Sequence, residues 1–259
     1  MRGWKAFLCL VLTAIICAGI AYADGTIRID HEALPVNGEW TDGAMSPNEF
    51  HYYPFVIDQV GKTAVRVQAY YGNASFDLLD ADLVSWETVY LNGTQGAPDT
   101  RDVEVYLEPG TYYLRANGDN STNGDYRVKI SNAPCNCDET DGNEDYHGAQ
   151  NLISGLTMSG VLTHWDAYDY YTFALSQETQ VHVVVNSETE GQQIMTLYDG
   201  DMVEMETMYN LQGYAEDFLL PAGTYYVAIS GGKGPYTLKA VYEASSDDLS
   251  PEDSLSSGD

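Results

Sequence analysis

Leu107-Glu108-Pro109-Gly110-Thr111-Tyr112-Tyr113-Leu114 returns as Leu220-Pro221-Ala222-Gly223-Thr224-Tyr225-Tyr226-Val227, with the two glycines 113 residues apart. That spacing is the length of a small domain rather than of a solenoid repeat, so the chain reads as one module written twice. In each copy the glycine supplies the backbone freedom of a tight turn, and the β-formers after it start a strand. Alternation along that strand puts Tyr112, Leu114 and Ala116 on one face and Tyr113, Arg115 and Asn117 on the other. The face carrying the charge belongs to solvent, so Tyr112 is expected in the core and Tyr113 outside. The same register sends Tyr225, Val227 and Ile229 inward and leaves Tyr226, Ala228 and Ser230 outside.

The repeat extends beyond this signature. His51-Tyr52-Tyr53-Pro54-Phe55 aligns with Asp169-Tyr170-Tyr171-Thr172-Phe173, and Trp86-Glu87-Thr88-Val89-Tyr90 with Met205-Glu206-Thr207-Met208-Tyr209. Offsets of 118 and 119 residues at these points exceed the 113 at the glycines, which places a net insertion in the first copy downstream of Tyr90, around Asn92 to Pro98. Loops absorb such length cheaply. Val65 to Ala69, Gln180 to Val185, Tyr126 to Ile130 and Tyr236 to Ala240 alternate apolar with polar residues, as half-buried strands do, and no stretch after the leader keeps a 3.6-residue period. Short strands punctuated by Gly, Asn and Asp predict an all-β chain of antiparallel sandwich or barrel domains.

The amino terminus predicts export. Arg2 and Lys5 precede an apolar run from Ala6 to Ile20 and the small-residue pattern Ala21-Tyr22-Ala23, which reads as a signal peptide over residues 1–23 with the mature chain starting at Asp24. The run is shorter than the roughly 20 residues a membrane-spanning helix needs, so no membrane span is expected. Domain 1 is then expected over 24–132, an acidic linker over 133–145, domain 2 over 146–243 and a disordered acidic tail over 244–259. Without the leader, nine Lys and Arg face 39 Asp and Glu. Such a charge repels nucleic acid and anionic membranes.

Two cysteines, Cys135 and Cys137, remain in the exported chain, and an oxidising compartment favours their pairing. A local ring, a link between chains and a metal site are all compatible with the spacing, although two thiolates alone make a poor zinc site. Asn73-Ala74-Ser75, Asn92-Gly93-Thr94 and Asn120-Ser121-Thr122 are glycosylation sequons whose use depends on the host.

The chain has 21 tyrosines against 6 phenylalanines. A ring that buries its body and keeps its hydroxyl wet suits both a thin sandwich core and a binding surface. Tyr113 and Tyr226, expected on the outer face, are the candidate ligand-binding residues.

Leu-x-x-Gly-Thr-Tyr-Tyr, Asp169-Tyr170-Tyr171-Thr172-Phe173, Leu197-Tyr198-Asp199 and Tyr236-Thr237-Leu238 resemble the bacterial pre-peptidase C-terminal domain, the family that includes the collagen-binding domains of bacterial collagenases. The resemblance covers Cys137 to Tyr242 well and Val36 to Ile130 more weakly. It implies two tandem jelly-roll-like antiparallel β-sandwich domains and a non-catalytic accessory role.

Glu139, Asp141, Asn143 and Glu144 place hard oxygen donors close together in the linker, the chemistry Ca²⁺ prefers, without a full twelve-residue EF-hand pattern. A solvated acidic linker is the competing reading. The resemblance implies that these four join Asp166 and Asp169 on the following segment to enclose calcium in the second domain, whereas the first copy offers Glu49 and His51 with no acidic linker before them. Bound calcium would stabilise the folded form by linkage.

The five histidines are scattered, and neither His-Glu-x-x-His nor Gly-x-Ser-x-Gly occurs. The expectation is a secreted, non-enzymatic protein that binds an extracellular protein or polysaccharide and lies outside the cell, on its surface or in the periplasm. The alternative is a structural subunit of a surface layer, sheath or filament, self-associating through edge strands or cysteines.

Overall fold

A computed structural model of the 259-residue chain describes residues 20–21, 26–94, 96–118, 124–137, 142–188 and 193–242. The strands of the amino-terminal half are β1 (Ile20–Ala21), β2 (Ile27–Asp30), β3 (Thr41–Met45), β4 (Glu49–Ile57), β5 (Gly61–Ala69), β6 (Gly72–Leu79), β7 (Ser85–Gly93), β8 (Asp99–Leu107), β9 (Gly110–Gly118) and β10 (Gly124–Pro134). They form a six-stranded sheet ordered β1-β2-β4-β9-β6-β7 and a four-stranded sheet ordered β3-β10-β5-β8. A single 3₁₀ turn over Tyr146–Gly148 is the only helical element among the described residues.

The later half repeats the plan with β11 (Gln150–Asn151), β12 (Thr157–Leu162), β13 (Tyr168–Leu175), β14 (Thr179–Ser187), β15 (Gln193–Asp199), β16 (Glu204–Tyr209), β17 (Tyr214–Leu220), β18 (Gly223–Gly231) and β19 (Gly234–Val241). Their sheets run β11-β13-β18-β15-β16 and β12-β19-β14-β17. Strand for strand this is the order of the first half without β1. Even the parallel pairing recurs, β2 with β4 and β11 with β13. The chain is therefore all-β, built of two sandwich-like pairs of mainly antiparallel sheets. Grouped by backbone proximity, residues 57–65 and 102–110 fall in the same compact unit as the described residues from 130 onward.

Alternation along each strand builds the cores. On β4, His51, Tyr53, Phe55 and Ile57 are buried, and on β13 the same positions hold Asp169, Tyr171, Phe173 and Leu175. In the second sheet pair these side chains meet Val181, Val183 and Val185 from the opposing sheet together with Leu238 and Ala240. Phe55 stacks on Tyr112 with ring centroids 5.7 Å apart, and Phe173 stacks on Tyr225 at 5.5 Å. Burying such a ring contributes about 1.5–3 kcal/mol.

The duplication reaches single hydrogen bonds. β6 and β15 both shift register against their neighbours at a leucine, after Leu78 and after Leu197. Each then enters the same turn. Asp80 Oδ1 accepts from the backbone N–H groups of Asp82 and Val84, and Asp199 Oδ1 from those of Asp201 and Val203. Leu83 and Met202 take left-handed φ of 63° and 61° in these turns, a conformation that side chains rarely adopt and that the aspartate bonds hold in place.

The first copy's extra length is spread wider than the loop expected to hold it. β7 and β8 have nine residues each, against six and seven in β16 and β17, and the link between β7 and β8 carries a Thr94–Ala97 bridge. β1 lies within the segment expected to be removed as a signal, so cleavage after Ala23 would leave β2 at that edge of the sheet.

Candidate functional site

The sorting of the paired tyrosines follows the expected register. Tyr112 and Tyr225 are each 5% exposed, and Tyr113 and Tyr226 are half-buried on the outer face. Ala228 departs from the expectation: it shares the outer face with Tyr226 yet is buried. Its small side chain lies between the cross-strand partners Tyr170 and Thr196, whose larger groups cover it.

The surroundings of Tyr226 are aromatic. It pairs across the strands with Thr172 on β13 and Tyr198 on β15, and Tyr146 meets its ring edge-to-face at 6.0 Å. Tyr168 and Tyr170 stand on the same face of β13 with ring centroids 5.7 Å apart. Burial, joined by the charges of Tyr198, Tyr168 and Asp145, raises the Tyr170 hydroxyl above its ordinary pKa. These rings form a hydrogen-bonding, partly apolar surface. At the end of β18, Tyr226 lines an open hollow of about 460 Å³ with Thr224, Asp199 and Asp201. The other candidate, Tyr113, pairs with Leu79 on β6. Beside that pairing, the first copy uses its outer face for an ion pair: Arg115 donates from Nε at 2.8 Å to Asp77 Oδ2, and Thr88 donates to Asp77 Oδ1 at 2.6 Å.

Four of the six candidate calcium ligands fall within the described residues. Glu139 and Asp141 lie outside the described residues. Asn143 is 3% exposed, and its carbonyl oxygen accepts from the Tyr170 N–H at 2.7 Å, which fixes the end of the linker beside β13. Glu144 is exposed and accepts from the Gly142 N–H. Asp166 and Asp169 are buried. Asp166 Oδ2 accepts from the Thr163 N–H at 3.0 Å and its hydroxyl at 2.7 Å, while Asp169 Oδ2 accepts from the Tyr236 hydroxyl at 2.6 Å. Lys233 Nζ donates to the Asp166 carbonyl oxygen. No group of three or more His, Cys, Asp or Glu side chains with metal-binding geometry forms among the described residues. One observation does suit a cation: the Asn143 side-chain amide nitrogen is buried without a hydrogen-bond partner. Amide oxygen and nitrogen are assigned from their partners, and turning this amide over would present an oxygen where a cation could be received.

Cys135 and Cys137 are bonded to each other, with Cα atoms 5.6 Å apart.

A cluster that the sequence did not announce lies in the first copy. Parallel pairing of β2 with β4 sets His31 beside His51, 20 residues away, with His31 Nε2 and His51 Nδ1 2.9 Å apart. His51 Nε2 lies 3.3 Å from Glu49 Oε2, and its Nδ1 lies 3.2 Å from the Tyr126 hydroxyl. With the Nε2 proton facing Glu49, neutral His51 accepts at Nδ1. His31 also stacks on Tyr53 at 4.2 Å. Burial lowers both imidazoles below their ordinary pKa of 6.5. His51 adds to the depression at His31 while Asp30 opposes it, and Glu49 opposes it at His51. The only local signal was the alignment of His51 with Asp169.

No protein-family model matches this chain, and no curated protein matches it. Solved structures do resemble it. One is the pre-peptidase C-terminal domain of a collagenase from Bacillus anthracis, 14% identical with a TM-score of 0.29, covering 40% of this chain and 95% of the other. Another is the PBSX exported protein XepA, 13% identical with a TM-score of 0.28, covering 80% of this chain and 87% of the other. A third is the tandem CBM22 domain pair of Paenibacillus barcinonensis Xyn10C, 9% identical with a TM-score of 0.25, covering 74% of this chain and 82% of the other.

Proposed function

We propose that this chain is a secreted, non-catalytic binding protein that engages an extracellular polymer, protein or polysaccharide, through the tyrosine-bearing outer face of its five-stranded sheet. The observation that carries the reading is the grouping of Tyr146, Tyr168, Tyr170, Tyr198 and Tyr226 on and beside β13, β18 and β15. Tyrosine combines contact area with a hydroxyl at low entropic cost, and a pleated sheet spaces such rings along an extended ligand. Tyr113 is the corresponding residue of the first copy. The domain bounds 24–132 and 146–243, with export after Ala23, belong to this reading.

Calcium belongs to it as well. Asn143, Glu144, Asp166 and Asp169, with Glu139 and Asp141, would hold the ion, whose role would be to order the linker ahead of the second sheet pair. The orphaned Asn143 amide supports this assignment.

Sedimentation of the full chain with insoluble fibrous proteins and polysaccharides tests the binding role. Binding is expected, and Tyr170→Ala combined with Tyr226→Ala should weaken it about tenfold or more, the scale of losing two aromatic anchors. Equal binding by the variant, or no binding to any polymer, would sink the reading. The alternative of a covalently linked structural subunit is less well supported, because Cys135 and Cys137 are bonded to each other. Ladders on non-reducing gels that collapse on reduction would restore it.

A further inference from the structure

The outer face of the six-stranded sheet holds a second concave surface, of different composition. An open cleft of about 530 Å³ is lined by Asn73 and Ser75 on β6, Tyr90 and Asn92 on β7, Asn117 on β9 and Arg101 on β8. That volume falls within the range of about 300–1,000 Å³ typical of small-ligand sites. The lining follows from strand register: Asn73 pairs with Asn92, Ser75 pairs with Tyr90 on one side and with Asn117 on the other, and alternation points all five to the same face. Asp99 closes one end. Its Oδ2 accepts from the Asn92 N–H at 3.0 Å, and its Oδ1 lies 3.5 Å from Arg101 Nε. Tyr90 is 76% exposed, its ring open to a ligand.

We propose that this cleft binds a neutral glycan. A carboxamide carries an acceptor oxygen beside a donor NH₂, which matches a sugar's neighbouring hydroxyls, each donor and acceptor at once. Three asparagines, a serine and an arginine supply that chemistry on one surface, and the Tyr90 ring supplies the flat apolar face on which the C–H side of a pyranose rests. The single acid and single base of the cleft face each other, so nothing in it selects for a charged ligand. A net charge of −28 disfavours uronates and sulfated sugars, and nucleic acid equally. The cleft is built by strands of the first sheet pair and the tyrosine face by strands of the second, so this site goes beyond the polymer-binding reading and either can fail without the other.

Native electrophoresis of the full chain through gels containing hydroxyethylcellulose, galactomannan or alginate tests the site. At least one of the two neutral polysaccharides should retard the protein, and alginate should not. Tyr90→Ala and Arg101→Ala, both at exposed positions, should each weaken the retardation about tenfold, the scale of losing one aromatic or bidentate anchor, with no change in melting temperature. Tyr226→Ala should leave it unchanged. The proposal is overturned if neither neutral polysaccharide retards the chain, if alginate retards it as strongly, or if the two cleft variants bind as the parent does. Loss of retardation in Tyr226→Ala alone would also overturn it, while leaving the tyrosine-face reading standing. An intact mass showing sugar already attached at Asn73 or Asn92 would overturn it by filling the cleft covalently.

Discussion

The hydroxyl of Tyr236 donates to Asp169 at 2.6 Å inside the second sandwich, and the hydroxyl of Tyr171 meets it at 2.7 Å. The first copy builds the same junction with Tyr126, Tyr53 at 2.7 Å and His51 in place of the carboxylate. Both central tyrosines sit opposite a glycine of the neighbouring strand, Tyr126 opposite Gly43 and Tyr236 opposite Gly160. A Cβ at Gly43 would come within 2.4 Å of the Tyr126 ring, so the missing side chain makes room for the aromatic one. One packing solution thus carries two different polar partners.

Removing the central hydroxyl should therefore have unequal effects. Tyr236→Phe removes one charge-assisted bond from a buried carboxyl and should lower stability by about 1.5–3 kcal/mol, whereas Tyr126→Phe, whose hydroxyl meets neutral groups, should lose about 0.5–1.5 kcal/mol. Urea denaturation of the two variants measures the difference. Equal losses would show that the Asp169 bond adds nothing beyond the shared tyrosine pair.

Acid should act on the first sandwich. His31 and His51 have pKa values held below 6.5 in the folded state, mainly by burial, so below pH 6.5 the unfolded chain binds more protons than the folded one. The contribution of these neutral imidazoles is complete above pH 6.5 and is lost as pH falls from there toward the folded values. Glu49 and Asp30, the acids acting on the pair, oppose the effect without reversing it. Melting temperatures at pH 7.5 and 5.0 should fall with acidification in the parent chain, and the fall should be smaller in His31→Gln. An unchanged pH dependence in that variant would remove His31 as the cause.

Calcium should raise the melting temperature of the parent chain and a chelator should lower it. At a hundredfold excess of calcium over its dissociation constant the stabilisation is about 2.7 kcal/mol. Glu144→Gln, at an exposed position, should weaken the shift without changing the chelated melting temperature, and adding Asp166→Asn should abolish it. Identical scans with calcium and with chelator would end the calcium reading.

Much of the architecture was legible because it is local and repeated. The glycine turn, the two-residue alternation of Tyr112-Tyr113 and Tyr225-Tyr226, and the alignment of His51 to Phe55 with Asp169 to Phe173 all lie within single strands, where side-chain direction follows from sequence parity. The matched aspartate turns at Asp80 and Asp199 were written in the sequence too, as two short acidic segments 119 residues apart, but only their hydrogen bonds gave the resemblance meaning.

The contacts that decide candidate sites were not legible, because they join strands distant in sequence. Ala228 is buried by Tyr170 and Thr196, His31 meets His51 through parallel pairing, and Asn73, Asn92 and Asn117 share a cleft through the order β9-β6-β7. By itself the sequence determined that the chain is a duplicated all-β module and which tyrosine of each pair turns inward, since both follow from periodicity along one strand. Only the tertiary structure decided which polar residues become neighbours, since that depends on strand order and register across the sheet.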